Sequence, residues 1–599
     1  MDSKKAIRFT ASCFAILVVC SIMIWGFQSD WGKVSIKRLT LAGPNGSSIS
    51  TLMYVPKSAT DKEQAPCVLI FHGRSNHAHA NDTWSMELAR RGYVVLSPDL
   101  QGGGESSPTV NRAEQAVQLT EYANTLSFVQ KDSINLVGYS FGTDTCLRVY
   151  ESVPDKINSI VEVFGPYRLK NYGGVDNINT NLGLLKASCD QYDYYFIGGE
   201  EACADVVTDL FDLNETVIPG KDYTWKGNLF RYMICNHTLH QTGNISGTTL
   251  DNLISYITSV SKAPINLGLN NQTWVYQQIF SGIACVAIMF FLASLINLLM
   301  QNSFFKTASN PVPVKEARSG GRNWAVDLLF CLMIPAVLFI PVSAYCMRYT
   351  APGTFISKVL TSTNLNGIMG WLLLTAAIGG ARMFLTAKKR IKAGESITLS
   401  DYALGGKSEN HIDWNKPLKG LLIGIICAAV IFIWINTMEG VFGINYQVWN
   451  LSTYLRISPM RFVRSIPYIV IIFVVMFIGN MNQRILPSTG NEKKDMLIAV
   501  SVNTVLTASA LLVLLIIQYG GNLIIATGQT ILPQIDIYNN GGVPSAGALD
   551  FSFGYCYMMG GTTGVVTYIY RKYGNIWLGV IPASIFAGLV TLSGFTLVA

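Results

Sequence analysis

Five residues, Gly138-Tyr139-Ser140-Phe141-Gly142, have the types and spacing of a nucleophile held on a sharp turn. They follow the apolar run Ile134-Asn135-Leu136-Val137 and precede a helical stretch from Thr143 to Tyr150. So tight a turn leaves no room for side chains at its flanks, and its strained backbone lifts the serine hydroxyl clear of the sheet edge. A serine hydroxyl is a weak nucleophile until a base takes its proton, and that base needs a carboxylate to orient it. Attack on a carbonyl builds charge on the oxygen, which fixed backbone N–H donors stabilise. The chemistry expected of such a set is cleavage of an ester or amide through an acyl-enzyme.

Elements able to position these groups are legible around them. Short apolar runs predict buried strands at Cys67–Phe71, Tyr93–Ser97, Ser133–Val137, Ile157–Phe164, Leu182–Lys186 and Phe230–Cys235. Helical patterns over 82–91, 112–130, 142–152 and 248–260 separate them. Alternation of this kind predicts a mostly parallel sheet with helices on both faces. The stretch 165–228 is irregular and rich in Gly, Asn, Asp and Tyr, which suits a lid or an insertion.

Upstream of the serine stand Val68-Leu69-Ile70-Phe71-His72-Gly73, then Trp84 to Tyr93, then Val94-Val95-Leu96-Ser97-Pro98-Asp99 and Gly102-Gly103-Gly104-Glu105-Ser106. With Gly138–Gly142 these resemble the α/β-hydrolase superfamily, in its dienelactone-hydrolase and prolyl-oligopeptidase-like branch. The resemblance covers most of residues 34–262. It implies a triad in the chain order Ser, acid, His, with Ser140 as nucleophile and the backbone N–H groups of Arg74 and Phe141 as the oxyanion hole. Two histidines follow Ser140 in this segment, His237 and His240. The family places its base several residues past the last strand, which favours His240 and leaves His237 as the alternative. Asn181 to Asp190 resembles the penultimate strand and favours Asp190 as the acid, although Ala187 stands where glycine is usual. Asp193, Glu201 and Asp205 compete, because Phe196-Ile197-Gly198-Gly199-Glu200-Glu201 also reads as a strand end. His72 is expected to order its turn, and His77 and His79 to lie at the cleft rim. A disulfide between Cys189 and Cys203 would pin the acid loop in an oxidising compartment, and their spacing leaves it open. No cofactor or metal is implied.

The rest of the chain is a different material. Of 599 residues half are hydrophobic and only 14% charged, where soluble domains carry roughly 25%. That composition excludes disorder. The net charge of +7 does not imply nucleic acid, because the basic residues sit in short clusters between apolar runs. Runs of about 20 residues, enough to span a bilayer, occur near 7–27, 274–300, 324–346, 366–387, 418–438, 463–481, 496–518, 551–570 and 576–597. The first reads as an uncleaved anchor. Placing the N-terminus inside puts nineteen basic residues in inner segments against five in short outer loops. By the positive-inside rule this predicts residues 28–273 outside the cytoplasm. Asp327 and Arg382 near inner span ends, and Asp550 near an outer one, read as interfacial charges.

The expectation is therefore an N-terminal transmembrane anchor (1–27), an extracytoplasmic α/β-hydrolase domain (28–273) and an all-α membrane bundle of about eight helices (274–599). The protein would be an integral multi-pass protein of the cell membrane, taking a small-molecule, lipid or peptide substrate. An acyltransferase acting on a lipid or glycan acceptor, or a transporter or receptor with a non-catalytic hydrolase-like module, are the alternatives.

Overall fold

The computed structural model describes residues 3–165, 168–169, 173–192, 197, 200–311, 322–402, 404, 411–449, 456–481, 489–536 and 544–598. Helix α1 (Ser3–Gln28) leads into a mixed α/β segment. Its elements are β1 (Val34–Ala42), β2 (Ser48–Pro56), β3 (Ala65–Phe71), α2 (Asp82–Arg90), β4 (Val94–Pro98), α3 (Arg112–Thr125) and β5 (Val129–Tyr139). There follow α4 (Gly142–Ser152), β6 (Ile157–Val163), β7 (Asn181–Cys189), α5 (Glu200–Leu210), β8 (Asp222–Trp225), β9 (Asn228–Leu239) and α6 (Gly247–Val260).

The nine strands form one sheet in the order β1-β2-β4-β3-β5-β6-β7-β9-β8. From β4 to β9 the neighbours are parallel, and β1, β2 and β8 run antiparallel to their partners. Strands β3 and β4 are buried along their whole length, as parallel strands covered on both faces must be. Because side chains alternate, Cys67, Leu69 and Phe71 fill the core on one face, while Val68 and Ile70 fill the other. All six runs read as strands form strands. The sequence reading did not identify β1, β2 or β8. The strand end read at Phe196–Glu201 does not form as expected: from Glu200 the chain is helical, and Phe196, Gly198 and Gly199 lie outside the described residues.

Beyond the sheet come α7 (Trp274–Leu299), α8 (Arg322–Tyr349), α9 (Thr363–Lys392), α10 (Asn415–Phe442), α11 (Pro459–Met481), α12 (Glu492–Leu515), α13 (Phe553–Tyr573) and α14 (Trp577–Gly594). Among the described residues eight helices are long and apolar enough to cross a membrane, one fewer than expected. The one set apart is α13, which forms as a helix but is rich in small and polar residues. Gly560 and Gly564 press on Thr504 of α12, and Gly561 presses on Met289 of α7. Close packing between helices selects small residues there, at the expense of hydropathy.

The two parts share a core. Cys189 and Leu239, the last residues of β7 and β9, belong to the apolar cluster built by α1, α7 and the later helices. The carboxyl edge of the sheet, where open α/β sheets bind ligands, thus faces the helical bundle.

Candidate active site

Ser140 follows β5 with φ of 52°, a left-handed conformation that is strained for a residue with a side chain. Its amide donates to the Val163 carbonyl at 2.8 Å, and its carbonyl accepts from the Thr143 amide at 2.9 Å. The flanking glycines are there for space. A Cβ on Gly138 would stand 2.5 Å from the Gly142 carbonyl oxygen, and one on Gly142 would stand 2.1 Å from that of Phe71.

His240 lies with Nε2 2.8 Å from Ser140 Oγ and Nδ1 2.7 Å from Asp190 Oδ2. The other Asp190 oxygen accepts the Tyr192 amide at 2.8 Å. Both side chains are buried, so water does not compete for these bonds. The Tyr139 hydroxyl donates to the His240 carbonyl, and the Tyr192 ring stands 4.6 Å from the imidazole. Strand β9 runs four residues further than the apolar pattern predicts. A register irregularity between Ala187 and Cys189 lets Cys189 pair with Leu239, so His240 follows the strand directly. His237 falls within β9, exposed and at φ of 50°, away from this set. Asp205 is exposed on α5; Asp193 and the Glu201 side chain lie outside the described residues.

The turn after β3 packs on the serine. A Cβ on Gly73 would stand 3.4 Å from Ser140 Cβ. His72 organises that turn: its Nδ1 donates to the Gly73 carbonyl at 2.8 Å and its Nε2 accepts from the Leu100 amide at 3.0 Å. Burial, and then the Arg112 guanidinium, hold its pKa down to about 3, so the ring is neutral. This geometry sets Arg74 one residue past that turn and Phe141 at the start of α4.

His77 and His79 are not at a rim; both are buried, which corrects the sequence expectation. His79 Nδ1 lies 2.8 Å from Asp82, and its Nε2 lies 3.2 Å from Glu439 on α10. Glu439 also pairs with Arg38 of β1 at 2.6 Å, and Arg38 pairs with Asp99 at 2.6 Å. Burial works against a charge on His79, but the Asp82 and Glu439 carboxylates prevail and raise its pKa to about 9. The sequence reading missed Glu439, although a lone carboxylate ending an apolar run is itself a signal.

Asp550 has partners on both parts of the chain. It accepts from Tyr192, Tyr519, Gln191 and Gln241, and so it sits between the bundle and the His240 loop. No disulfide joins Cys189 to Cys203, which pack in different apolar clusters. The Arg382 guanidinium lies over the Phe330 ring at 4.3 Å, and the Asp327 side chain lies outside the described residues.

The bundle closes on the site from several sides. Trp449 Nε1 donates to the Gln241 carbonyl at 2.6 Å, Asn364 binds Ser75, and a Cβ on Gly528 would collide with the Asp190 backbone.

A family model described as the alpha/beta hydrolase fold matches residues 66–166, a stretch that includes Ser140 and ends before Asp190 and His240. No curated protein matches the chain. Among solved structures, a thioesterase domain from the curacin biosynthetic pathway is 23% identical, with 22% of this chain and 47% of that one covered and a TM-score of 0.19. The chain thus spans under half of that relative. A dienelactone hydrolase from Anabaena variabilis is 13% identical, with 38% of this chain and 100% of that one covered and a TM-score of 0.28. Oligopeptidase B from Leishmania major is 12% identical, with 39% and 38% covered and a TM-score of 0.30. The matched family and the strand order agree: the sheet-bearing part of this chain has an α/β-hydrolase fold.

Proposed function

We propose that the chain is a membrane-embedded serine hydrolase that cleaves an ester or amide through an acyl-enzyme on the outer side of the membrane. One observation carries this reading: the unbroken hydrogen-bonded run from Ser140 Oγ through His240 to Asp190. In it His240 Nε2 takes the Ser140 proton as Oγ attacks the substrate carbonyl, and Asp190 holds the imidazole with Nδ1 protonated. The Arg74 and Phe141 N–H groups stabilise the oxyanion. His240 then returns the proton to the leaving group, and water attacks the acyl-enzyme by the reverse steps. The outward orientation is supported by the basic bias of the loops.

A fluorophosphonate reacts with an activated serine irrespective of the natural substrate. Full-length protein in detergent should acquire one adduct on Ser140, seen by peptide mass. Folded protein without that adduct would sink the enzyme reading. For orientation, Lys62→Cys and Ser396→Cys place thiols at exposed positions before and after the first stretch of bundle. In intact cells an impermeant maleimide should label the first alone; labelling of the second alone would put the hydrolase fold in the cytoplasm.

A further inference from the structure

Two apolar lips flank Ser140, each attached to one side of the Ser140–His240–Asp190 run. The first precedes α9. Its Phe355 is 81% exposed, and Val359 is exposed beside it. The chain then turns into α9, where Asn364 donates to Ser75, two residues past the Gly73 that packs on Ser140. The second lip follows α12. A π-turn (Ile516–Gly520) carries that helix on into Gly521–Ile525, whose Ile524 is 85% exposed, with Leu523, Ile525 and Ile531 exposed around it. The returning chain lays Gly528 on the Asp190 backbone, with no room for a Cβ. Ser140 thus stands between the lips, with the Ser75 turn on one side and, through His240, the Asp190 turn on the other.

Both lips are built. At the first, Arg464 donates to the Lys358 carbonyl at 3.0 Å, and the Val598 amide donates to the Thr361 carbonyl at 2.8 Å. At the second, Gln518 accepts the Ile531 and Leu532 amides at 3.1 and 2.9 Å, and Tyr519 beside it donates to Asp550. π-Bulges within helices recur at functional sites. This one joins the Ile524 lip to the carboxylate that holds the Asp190 and His240 loops.

The helices below the lips say what covers them. Helix α8 packs against both α9 and α12, and all three are long and apolar enough to cross a membrane while most of their apolar length faces outward. With its extension, α12 runs 34 residues, Glu492–Ile525. At 1.5 Å per residue that is roughly 50 Å, against a hydrocarbon core of about 30 Å, so the helix carries its tip through the core to headgroup level. Large apolar side chains exposed at that level are seated in lipid rather than in water.

We infer that the substrate is a lipid of the bilayer, which enters between the lips from the membrane side. Its ester or amide meets Ser140 at headgroup level, and its chain stays along the outward faces of α9 and α12. The inference rests on the membrane-embedded serine-hydrolase reading and adds the substrate class to it.

The test uses full-length protein reconstituted in phosphatidylcholine vesicles, with butyl and hexadecyl fluorophosphonates at equal concentration. Ser140 Oγ bonds to phosphorus and fluoride leaves in both cases, so the probes differ in chain alone. The hexadecyl probe, held in the bilayer, should modify Ser140 about tenfold faster or more, the effect of one or more buried apolar contacts. The hexadecyl-to-butyl ratio should fall by about tenfold in Ile524→Asp and Phe355→Asp, and Ile524→Leu should keep it. Butyl labelling of each variant reports that it is folded, and the wild-type ratio needs no variant at all. A butyl rate equal to or above the hexadecyl rate in the wild type would overturn the inference, because a site fed from water loses the probe that the bilayer holds. A ratio that survives both Asp variants would overturn it too, and either result leaves the hydrolase reading standing. If neither probe modifies Ser140, it is the hydrolase reading that fails.

Discussion

Asp550 accepts the hydroxyl proton of Tyr192, and the Tyr192 ring stands 4.6 Å from the imidazole of His240. The same carboxylate takes the side-chain amides of Gln191 at 3.1 Å and Gln241 at 3.3 Å. Gln191 follows Asp190 and Gln241 follows His240, so one carboxylate from the bundle grips both loops that carry Asp190 and His240.

Removing that grip should slow chemistry more than it weakens binding. Asp550→Ala should lower kcat, or the limiting rate of Ser140 labelling, by about 10- to 100-fold, as small misplacements of a catalytic group do. KM should change little. Tyr192→Phe should act in the same direction, and the double variant should be no worse than Asp550→Ala, since both break one connection. A full rate in Asp550→Ala would mean that the loops hold themselves.

Ser140→Ala should cost roughly 10⁴-fold or more in turnover while the thermal transition stays put, because the side chain sits on an elbow and not in the core. His240→Ala should come close to that loss. His237→Ala should leave turnover near wild type, since His237 is exposed and set apart. If the two histidine variants exchange phenotypes, His237 is the base.

The elbow should refuse a methyl group. In Gly142→Ala the new Cβ falls 2.1 Å from the Phe71 carbonyl oxygen, a backbone atom with no freedom to retreat. Stability should fall by several kcal/mol, in the upper tail for a single substitution. Thermal melts and expression yield would show it. Gly247→Ala, at a glycine with open space around it, is the matched control.

Stability should also depend on pH through His79 and His72, with the sign set by each shift. The His79 pKa is raised to about 9 in the fold from roughly 6.5 in an unfolded chain. Its contribution is therefore complete below about pH 6.5 and is lost as pH rises through 9. His72 is depressed to about 3, so its contribution is present above about pH 6.5 and is lost as pH falls towards 3. Melting temperature should decline on both sides. In His79→Gln the alkaline decline should flatten and the acid one should remain. An unchanged alkaline limb in that variant would show that the His79–Asp82–Glu439 contact does not govern it.

What the sequence made legible follows from where its signals are local. The central strands are continuous apolar runs, and the elbow depends on contacts among residues 138, 142 and 71, so spacing alone located both. Strand β1 escaped because Arg38 breaks its pattern. That charge points into a buried pocket formed by Asp99 and Glu439, and nothing within nine residues announces it. His79 reads as a rim residue because its partner Glu439 lies on α10, 360 positions away. His240 was located from chain order and a loop length, whereas the strand that positions it ends later than its apolar pattern does. Asp550 is legible as a charge near a span end, but its partners Tyr192 and Gln241 are not, since they lie on the sheet-bearing part more than 300 positions away.

The bridge between Arg38 and Glu439 also imposes an order in time. The two residues are 401 positions apart. At about 5–20 residues per second, a growing chain spends roughly 20–80 s with Arg38 made and Glu439 still unsynthesised. Until then Arg38 has Asp99 as its carboxylate partner, and the face that Glu439 will cover stays open to water. The emerging α/β segment therefore waits, incompletely settled, until α10 has been made and delivers its carboxylate. Asp550, which grips the loops of Asp190 and His240, arrives later still. A chain interrupted before these points, or the α/β segment produced by itself, lacks both anchors, so the contacts that hold the loops of Asp190 and His240 are complete only once the bundle has been made.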